Sequence, residues 1–230
     1  SFILIVASLS LESGMTFFAS KMAIRENKLA TFSVAWSIIV SVVIVLLIYL
    51  YYKNPNQEIT RNQFAFFAIT YISGILLTTF FCSLFYAQKN YALPNIILSI
   101  TNALLIIYFL VSLRYDTTPQ LETHLLRWYF LNYVIQGVLL AIAYWKRNEL
   151  AAGFSLPGMA ELKMLFRYSL FALSSNLVFF LLYRIDYWFV KNNCPVCHEG
   201  DLGNYIQVSK MGQMFLLLPG ILASTIFPRT

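Results

Sequence analysis

Long apolar runs alternate with short polar segments along this chain. A helix needs about 20 predominantly apolar residues to cross the hydrocarbon core of a bilayer. Six runs meet this requirement, and we call them spans A to F: 32–52, 64–86, 92–113, 125–145, 168–190 and 203–227. Membrane β-strands would alternate polar and apolar residues over about ten positions, and the stretch "SIIVSVVIVLLIYLYY" does not. The pattern predicts an all-α, polytopic helical membrane protein.

Composition supports the same interpretation. Hydrophobic residues make up 59% of the 230 positions and charged residues only 11%, whereas a soluble domain has about 25% charged residues. The net charge of +6 is spread between the apolar runs without forming a patch, so no nucleic-acid partner is predicted. No catalytic triad and no glycine-rich phosphate loop is present in the sequence. We therefore expect no enzyme activity.

The basic residues predict an orientation. Loops that reach the cytoplasm carry the excess of Lys and Arg. One face of the predicted bundle has nine basic residues and the other has five. The richer face holds the segment before span A, the B–C loop, the D–E connection and the end of span F, and we expect it to be cytoplasmic. The E–F loop then faces outward.

The opening "SFILIVASLSL" lacks the basic leading segment and cleavage site of a signal peptide. We interpret it as the end of a truncated span, and expect the chain to be a fragment of a longer protein. The D–E connection, 146–167, is the longest between spans. Its apolar and basic positions follow helical spacing after Pro157. They fit either an amphipathic helix on the membrane surface or an early start of span E.

Three ionisable residues lie inside spans E and F. Arg184 and Asp186 lie roughly 9 and 6 Å from the end of span E, and Lys210 lies roughly 10 Å into span F. A charge at the bilayer centre costs on the order of 3 kcal/mol, so each residue needs a partner or water. Asp186 is expected to pair with Lys210, which leaves Arg184 for another helix or for a ligand. Glu12, in the opening segment, is a further candidate for an ion pair or ion coupling.

Polar residues share helix faces with these charges. Asn176 and Tyr183 lie on one side of span E, and Gln207 lies with Lys210 on span F. One interpretation is a structural ion pair with side chains that extend to the headgroups. The other is a hydrated gap between helices, faced by Arg184, Asp186 and Lys210, and we favour it because tyrosine and asparagine share the same faces.

Spans E and F resemble the polysaccharide flippase family of the multidrug/oligosaccharidyl-lipid/polysaccharide exporter superfamily. The resemblance is carried by "ELKMLFRYSLFALSSNLVFFLLYRIDYWFV" and "LGNYIQVSKMGQMFLLLPGILASTIFP". In that family, an Asp-containing span end leads through a hairpin to Leu-Gly-x-Tyr, and a helix with a mid-span Pro closes on Phe-Pro. "LESGMTFFASK" at 11–21 is similar to the end of the family's second span.

The resemblance implies a fragment of a two-lobe transporter with 12–14 helices. Residues 1–145 would hold the end of span two and spans three to six, 146–167 the cytoplasmic linker, and 168–230 the first two spans of the second lobe. The implied activity is to flip an undecaprenyl-pyrophosphate-linked oligosaccharide across the bacterial inner membrane by alternating access, for O-antigen or polysaccharide biosynthesis. It implies no cofactor. It also implies that membrane lipids and polysaccharide polymerases are partners.

The implied site uses the polar residues of spans E and F. Arg184 and Lys210 would supply positive charge to pyrophosphate and acidic sugars. Asn176, Tyr183 and Gln207 would contact sugar hydroxyls. Asp186 would hold Lys210 or, by gaining and losing a proton, couple transport to an ion gradient. A cation-coupled multidrug extruder of the same superfamily is the alternative function.

The E–F loop departs from the family, which usually has a shorter loop there. It contains Cys194-Pro-Val-Cys197-His198, the spacing of c-type haem attachment. A haem-bearing membrane redox protein is therefore a third hypothesis, although so short a loop can hardly bury a haem. The same residues are weak zinc candidates or a labile disulfide. An ordinary loop is the interpretation we favour.

Overall fold

The computed structural model describes residues 2–51, 60–115, 121–148, 155–182, 185–193, 203–212 and 215. The described part contains eight helices in chain order and no strand. They are α1 (Phe2–Ser8), α2 (Leu11–Ser20), α3 (Glu26–Tyr51), α4 (Arg61–Ala87), α5 (Ala92–Tyr115), α6 (Leu121–Arg147), α7 (Met159–Leu182) and α8 (Ile185–Asn193). Residues 203–212 are also helical.

Five helical stretches are long and apolar enough to cross a membrane. They are Glu26–Leu50, Arg61–Ala87, Ala92–Arg114, Leu121–Arg147 and Met159–Val190. These stretches confirm the helical prediction for spans A to E, and the chain is an all-α, multi-pass membrane protein. Of span F, residues 203–212 and 215 lie within the described part and are helical.

Helix α4 begins before the predicted span B because a polar residue caps its first turn. Thr60 begins α4 with a reciprocal pair of hydrogen bonds to Gln63. The Thr60 hydroxyl accepts from the Gln63 amide at 3.3 Å, and the Gln63 side-chain oxygen accepts from the Thr60 amide at 3.1 Å. Such a capping box satisfies backbone donors that the first turn of a helix leaves unpaired. Sequence hydropathy misses this turn because its residues are polar.

The chain divides into two compact units, Ser1–Asn176 and Leu177–Thr230. In the first unit, α4 packs against α2, α3 and α6, and α5 packs against α6. Fully buried side chains such as Leu11, Met15, Phe80 and Leu140 form its core. The outer sides of α3 and α5 expose leucine, isoleucine and valine, as expected of helices that face lipid.

Helix α7 decides between the two interpretations of the D–E connection. It runs without interruption from Met159 to Leu182, so the apolar and basic positions after Pro157 begin span E early and form no separate surface helix. Its first half packs side chains against α2 and α3. Phe166 lies 6.1 Å from Phe32 and 5.4 Å from Trp36 between ring centroids.

Candidate functional site

The opening apolar segment, Leu4–Ser20, is broken between two helices. Helix α1 ends at Ser8 and α2 begins at Leu11. Leu9 and Ser10 connect them with φ of 49° and 52°, a left-handed conformation that only a few per cent of non-glycine residues adopt. A break of this kind persists only where surrounding contacts hold it.

Four hydrogen bonds hold the break. The Ser10 amide donates to the Ser8 hydroxyl at 3.1 Å, and the indole nitrogen of Trp36 donates to the carbonyl of Ala7 at 3.1 Å. The Leu9 amide donates to the carbonyl of Val6 at 3.3 Å, and the carbonyl of Ser10 accepts from the Ser13 amide at 3.1 Å. Backbone polar groups at membrane depth require such partners because lipid supplies none.

Helix α7 contributes directly to this region. The side-chain amide of Asn176 donates to the hydroxyl of Ser10 at 2.9 Å. Four residues after Ser10, the same two helices approach closely. A Cβ built on Gly14 would lie 2.5 Å from the Ser169 hydroxyl and 2.9 Å from a Leu165 methyl. Glycine permits this approach without a shift of either side chain. Asn176 was predicted as a substrate contact, and it is brought against α2 at the helix break.

Glu12 lies in the first turn of α2, about 12 Å along the helix from its end at Ser20. The carboxylate oxygen Oε2 of Glu12 and the hydroxyl of Ser169 are both buried without a hydrogen-bond partner in the described part of the chain. A carboxylate buried among membrane helices is costly unless it binds a proton, a cation or a donor from a ligand. The positive end of α2 favours its negative charge. We call Ser8, Ser10, Glu12, Ser169 and Asn176 the helix-break site.

The second unit contains a separate polar contact. Asp186 accepts hydrogen bonds from the Tyr205 hydroxyl at 3.0 Å and from the Tyr187 amide at 2.9 Å. The Tyr187 hydroxyl lies 3.3 Å from that of Ser209. These bonds join α8 to the helical residues 203–212.

The expected pair of Asp186 with Lys210 is not formed. Within the described part of the chain, the only ion pair within 4.0 Å joins Lys28 to Glu161. Tyr205 faces Asp186, and Lys210 follows it by five residues, which places it about 140° around the helix. Lys210 and Gln207 are both exposed. The described residues therefore do not enclose Lys210 in the hydrated gap that was predicted between helices. Tyr183 and Arg184 lie outside the described residues.

Sequence reasoning missed a polar network at one end of the first unit, which we call the end network. The side-chain amide of Gln88 donates to Glu26 at 2.7 Å and to Asn148 at 2.9 Å. The Tyr144 hydroxyl donates to the same Glu26 oxygen at 3.1 Å. Lys28 donates to both Glu161 oxygens at 3.0 and 2.9 Å. Each residue lies near a helix end, where polar residues are usual, so their positions in the sequence carried no distinct signal.

A second missed group lies between α5 and α6. Asn132 and Gln136 donate to the side-chain oxygen of Asn102 at 3.1 and 2.8 Å. The signal was present, since Asn132 and Gln136 are one helical turn apart in a predicted span. Amide contacts of this kind bind membrane helices to one another. We interpret this group as structural, because both amides donate to a side chain of the neighbouring helix.

The described residues contain no cluster of three His, Cys, Asp or Glu side chains. Cys194, Cys197 and His198 lie outside the described residues. His124 is exposed on α6, and Cys82 is buried in the core of the first unit. The haem, zinc and disulfide hypotheses for the E–F loop therefore stay predictions.

No protein-family model, curated protein or solved structure matches the chain. The functional argument consequently depends on the chemistry of the chain's own residues and on the resemblance noted from the sequence.

Proposed function

We propose that the chain belongs to a two-lobe transporter that flips an undecaprenyl-pyrophosphate-linked oligosaccharide across the bacterial inner membrane by alternating access. The observation that carries the proposal is the carboxylate of Glu12 at the break between α1 and α2, one oxygen of which is buried with no partner in the described part of the chain. Ionisable residues inside membranes are rare and mark ion or substrate pathways. Discontinuous membrane helices form the substrate and ion sites of many secondary transporters.

The contact between α2 and α7 supports the same mechanism. In the proposed arrangement α7 opens the second lobe, and Asn176 links it to Ser10 across the helix break. Movement of α7 relative to α2 would break this bond and expose Glu12 to water or solute. A proton or cation bound by Glu12 would remove its charge penalty when the site closes again. Ion binding and lobe movement would thus be coupled through one carboxylate.

Recognition of the substrate stays with the predicted polar residues. Arg184 and Lys210 would bind the pyrophosphate as cations, and Asn176, Tyr183 and Gln207 would contact the sugars. Asp186 would position the Tyr205 hydroxyl toward the same solute, because the two are hydrogen-bonded. The undecaprenyl chain would remain in lipid. The proposed activity is transport, with no bond made or broken.

A cation-coupled multidrug extruder is the second candidate, and Glu12 is again the observation that favours it. A buried carboxylate attracts a cationic drug as well as a proton. The two functions predict different phenotypes. Loss of a flippase leaves lipid-linked oligosaccharide on the cytoplasmic side and removes the surface glycan, whereas loss of an extruder raises sensitivity to cationic drugs.

The test is deletion of the gene followed by complementation with variants. Glu12→Gln keeps the shape of the side chain and removes its charge, and we expect it to lower glycan export at least about tenfold, which corresponds to 1.4 kcal/mol. Glu122→Gln is the control, because Glu122 is exposed in the first turn of α6. Export and protein level are measured together. Normal export after deletion, with new sensitivity to cationic drugs, would reject the flippase.

A further inference from the structure

A groove of about 220 Å³ lies between α5 and α6. Leu104, Leu105 and Tyr108 form its α5 wall, and Trp128 and Ile135 form its α6 wall. The rings of Tyr108 and Trp128 meet at one end with centroids 5.5 Å apart. Neither the helix-break site nor the end network includes these residues, so the groove needs a separate explanation.

The two buried polar side chains that line the groove are already engaged within the chain. The hydroxyl of Thr101 donates to the carbonyl of Ile97 at 2.9 Å, and the amide of Asn132 donates to Asn102 at 3.1 Å. Thr101 and Asn132 are each only 7% exposed. Sugar or phosphate groups placed here would lose water without gaining partners. The groove therefore suits a hydrocarbon.

The position of the groove along α5 corresponds to one leaflet. Thr101 lies about 14 Å and Tyr108 about 24 Å from the first residue of α5, at 1.5 Å per residue. A bilayer's hydrocarbon core is about 30 Å thick. The groove thus extends from near the bilayer midplane toward the C-terminal end of α5. Tyr108 and Trp128 close it on the headgroup side, where such rings are favoured.

The volume of the groove limits its occupant. It is about 220 Å³, whereas a helix segment as long as the roughly 10 Å of α5 between Thr101 and Tyr108 occupies on the order of 800 Å³. An α-helix with its side chains is about 10 Å across, so a helix of another chain does not fit inside. A single extended hydrocarbon chain does.

We propose that this groove binds one acyl chain of a bilayer phospholipid from the leaflet at the C-terminal end of α5. The groove would hold that lipid longer than the outer faces of α3 and α5 hold neighbouring lipids. The reason is that the acyl chain in the groove contacts two helices and two rings. This inference requires only that α5 and α6 cross the membrane, and it stands whichever solute is transported.

The first test uses native mass spectrometry. The protein is reconstituted in vesicles of phosphatidylethanolamine and phosphatidylglycerol and then extracted into detergent. We expect the wild type to retain one phospholipid. Leu104→Trp and Ile135→Trp fill the groove from opposite walls and should lower the retained fraction about tenfold, since each displaces about two methylenes.

Matched controls lie on the same helices outside the groove. Leu110 on α5 is 64% exposed against 59% for Leu104, and Leu139 on α6 is 41% exposed like Ile135. Leu110→Trp and Leu139→Trp should retain the phospholipid. The proposal is overturned if the groove variants retain it, or if all four variants lose it equally. Circular dichroism verifies that each variant keeps its helical content.

The second test needs no variant that fills the groove. A protein with Trp128 as its sole tryptophan is loaded with phospholipid brominated near the middle of the acyl chain, extracted and washed. Bromine should strongly quench the fluorescence of Trp128. The fluorescence of a protein with Trp145 as its sole tryptophan should be unchanged. Equal quenching of both proteins, or none, contradicts the proposal. Displacement of the bromolipid by added polyprenyl phosphate would also overturn it, because the occupant would then be an isoprenoid chain.

Discussion

In this molecule, the residues with individual roles are the buried polar side chains. The apolar residues around them serve mainly to place the helices in lipid. The end network shows how such groups satisfy one another. Gln88 joins Glu26 to Asn148, and Tyr144, which is completely buried, donates to the same carboxylate oxygen as Gln88 does. Glu12 differs from this network, since one of its carboxylate oxygens is buried with no described partner. The contrast separates a structural carboxylate from a candidate functional one.

At this scale we predict that Tyr144→Phe destabilises the protein. The substitution removes a hydrogen bond to a carboxylate and leaves the ring in place, so we expect the free energy of unfolding to fall by about 1–2 kcal/mol. The measurement is reversible unfolding in detergent with increasing dodecyl sulfate. Tyr91→Phe is the control, because Tyr91 is 48% exposed. An unchanged unfolding midpoint for Tyr144→Phe would show that the network contributes little.

Helix packing depends on small residues where two backbones approach. A Cβ added to Gly74 of α4 would lie 2.4 Å from the backbone carbon of Tyr133 in α6, and one added to Gly137 would lie 2.7 Å from the Cβ of Leu77. Lipid is as apolar as leucine, so membrane helices associate through close packing rather than through hydrophobic burial. The two glycines therefore determine how closely α4 and α6 approach.

At the element scale, Gly74→Ala should push α4 away from α6. The new methyl group meets backbone, which cannot rotate aside, so we expect a loss of about 1–3 kcal/mol in the free energy of unfolding. Gly212→Ala is the control, since nothing lies within 4 Å of a Cβ there. In that control, alanine's better helix propensity should leave stability unchanged or raise it slightly. Equal effects of the two substitutions would contradict this account of the contact.

At the scale of the first unit, side-chain bonds bring the same ends of several helices together. Glu26 at the start of α3, Gln88 after α4 and Asn148 after α6 are hydrogen-bonded, and Lys28 pairs with Glu161 near the start of α7. These are the segments that the basic-residue count assigns to one face. Their common location agrees with the alternating directions predicted for spans A to E.

We predict that this face is cytoplasmic. In a protein without its native cysteines, Lys89→Cys lies on this face and His124→Cys on the opposite one. A membrane-impermeant maleimide applied to intact cells should label the cysteine at 124 at once, and the cysteine at 89 only after permeabilisation. Both positions are on short polar segments, so accessibility reports the side of the membrane. The reverse labelling pattern would invert the proposed orientation and the direction of transport.

How much of the structure could be predicted from the sequence differs between apolar and polar residues. Spans A to E could be predicted because twenty apolar residues in succession fit little except a membrane helix. The pair between Asp186 and Lys210 could not, because depth in the membrane does not specify which side of a helix a residue faces. Tyr205 occupies the position that was expected for Lys210. Ser10 gave no signal either, since its left-handed conformation has no glycine to mark it.

The sequence by itself determined that this protein contains helices that cross a membrane, and roughly where spans A to E lie. These properties follow from local composition, because every backbone group in lipid must be paired within its own helix. Only the tertiary structure decided which polar residues meet: Asn176 with Ser10, Gln88 with Glu26, and the walls of the groove between α5 and α6. These contacts depend on the rotation and approach of separate helices, which are set by packing between residues far apart in the chain.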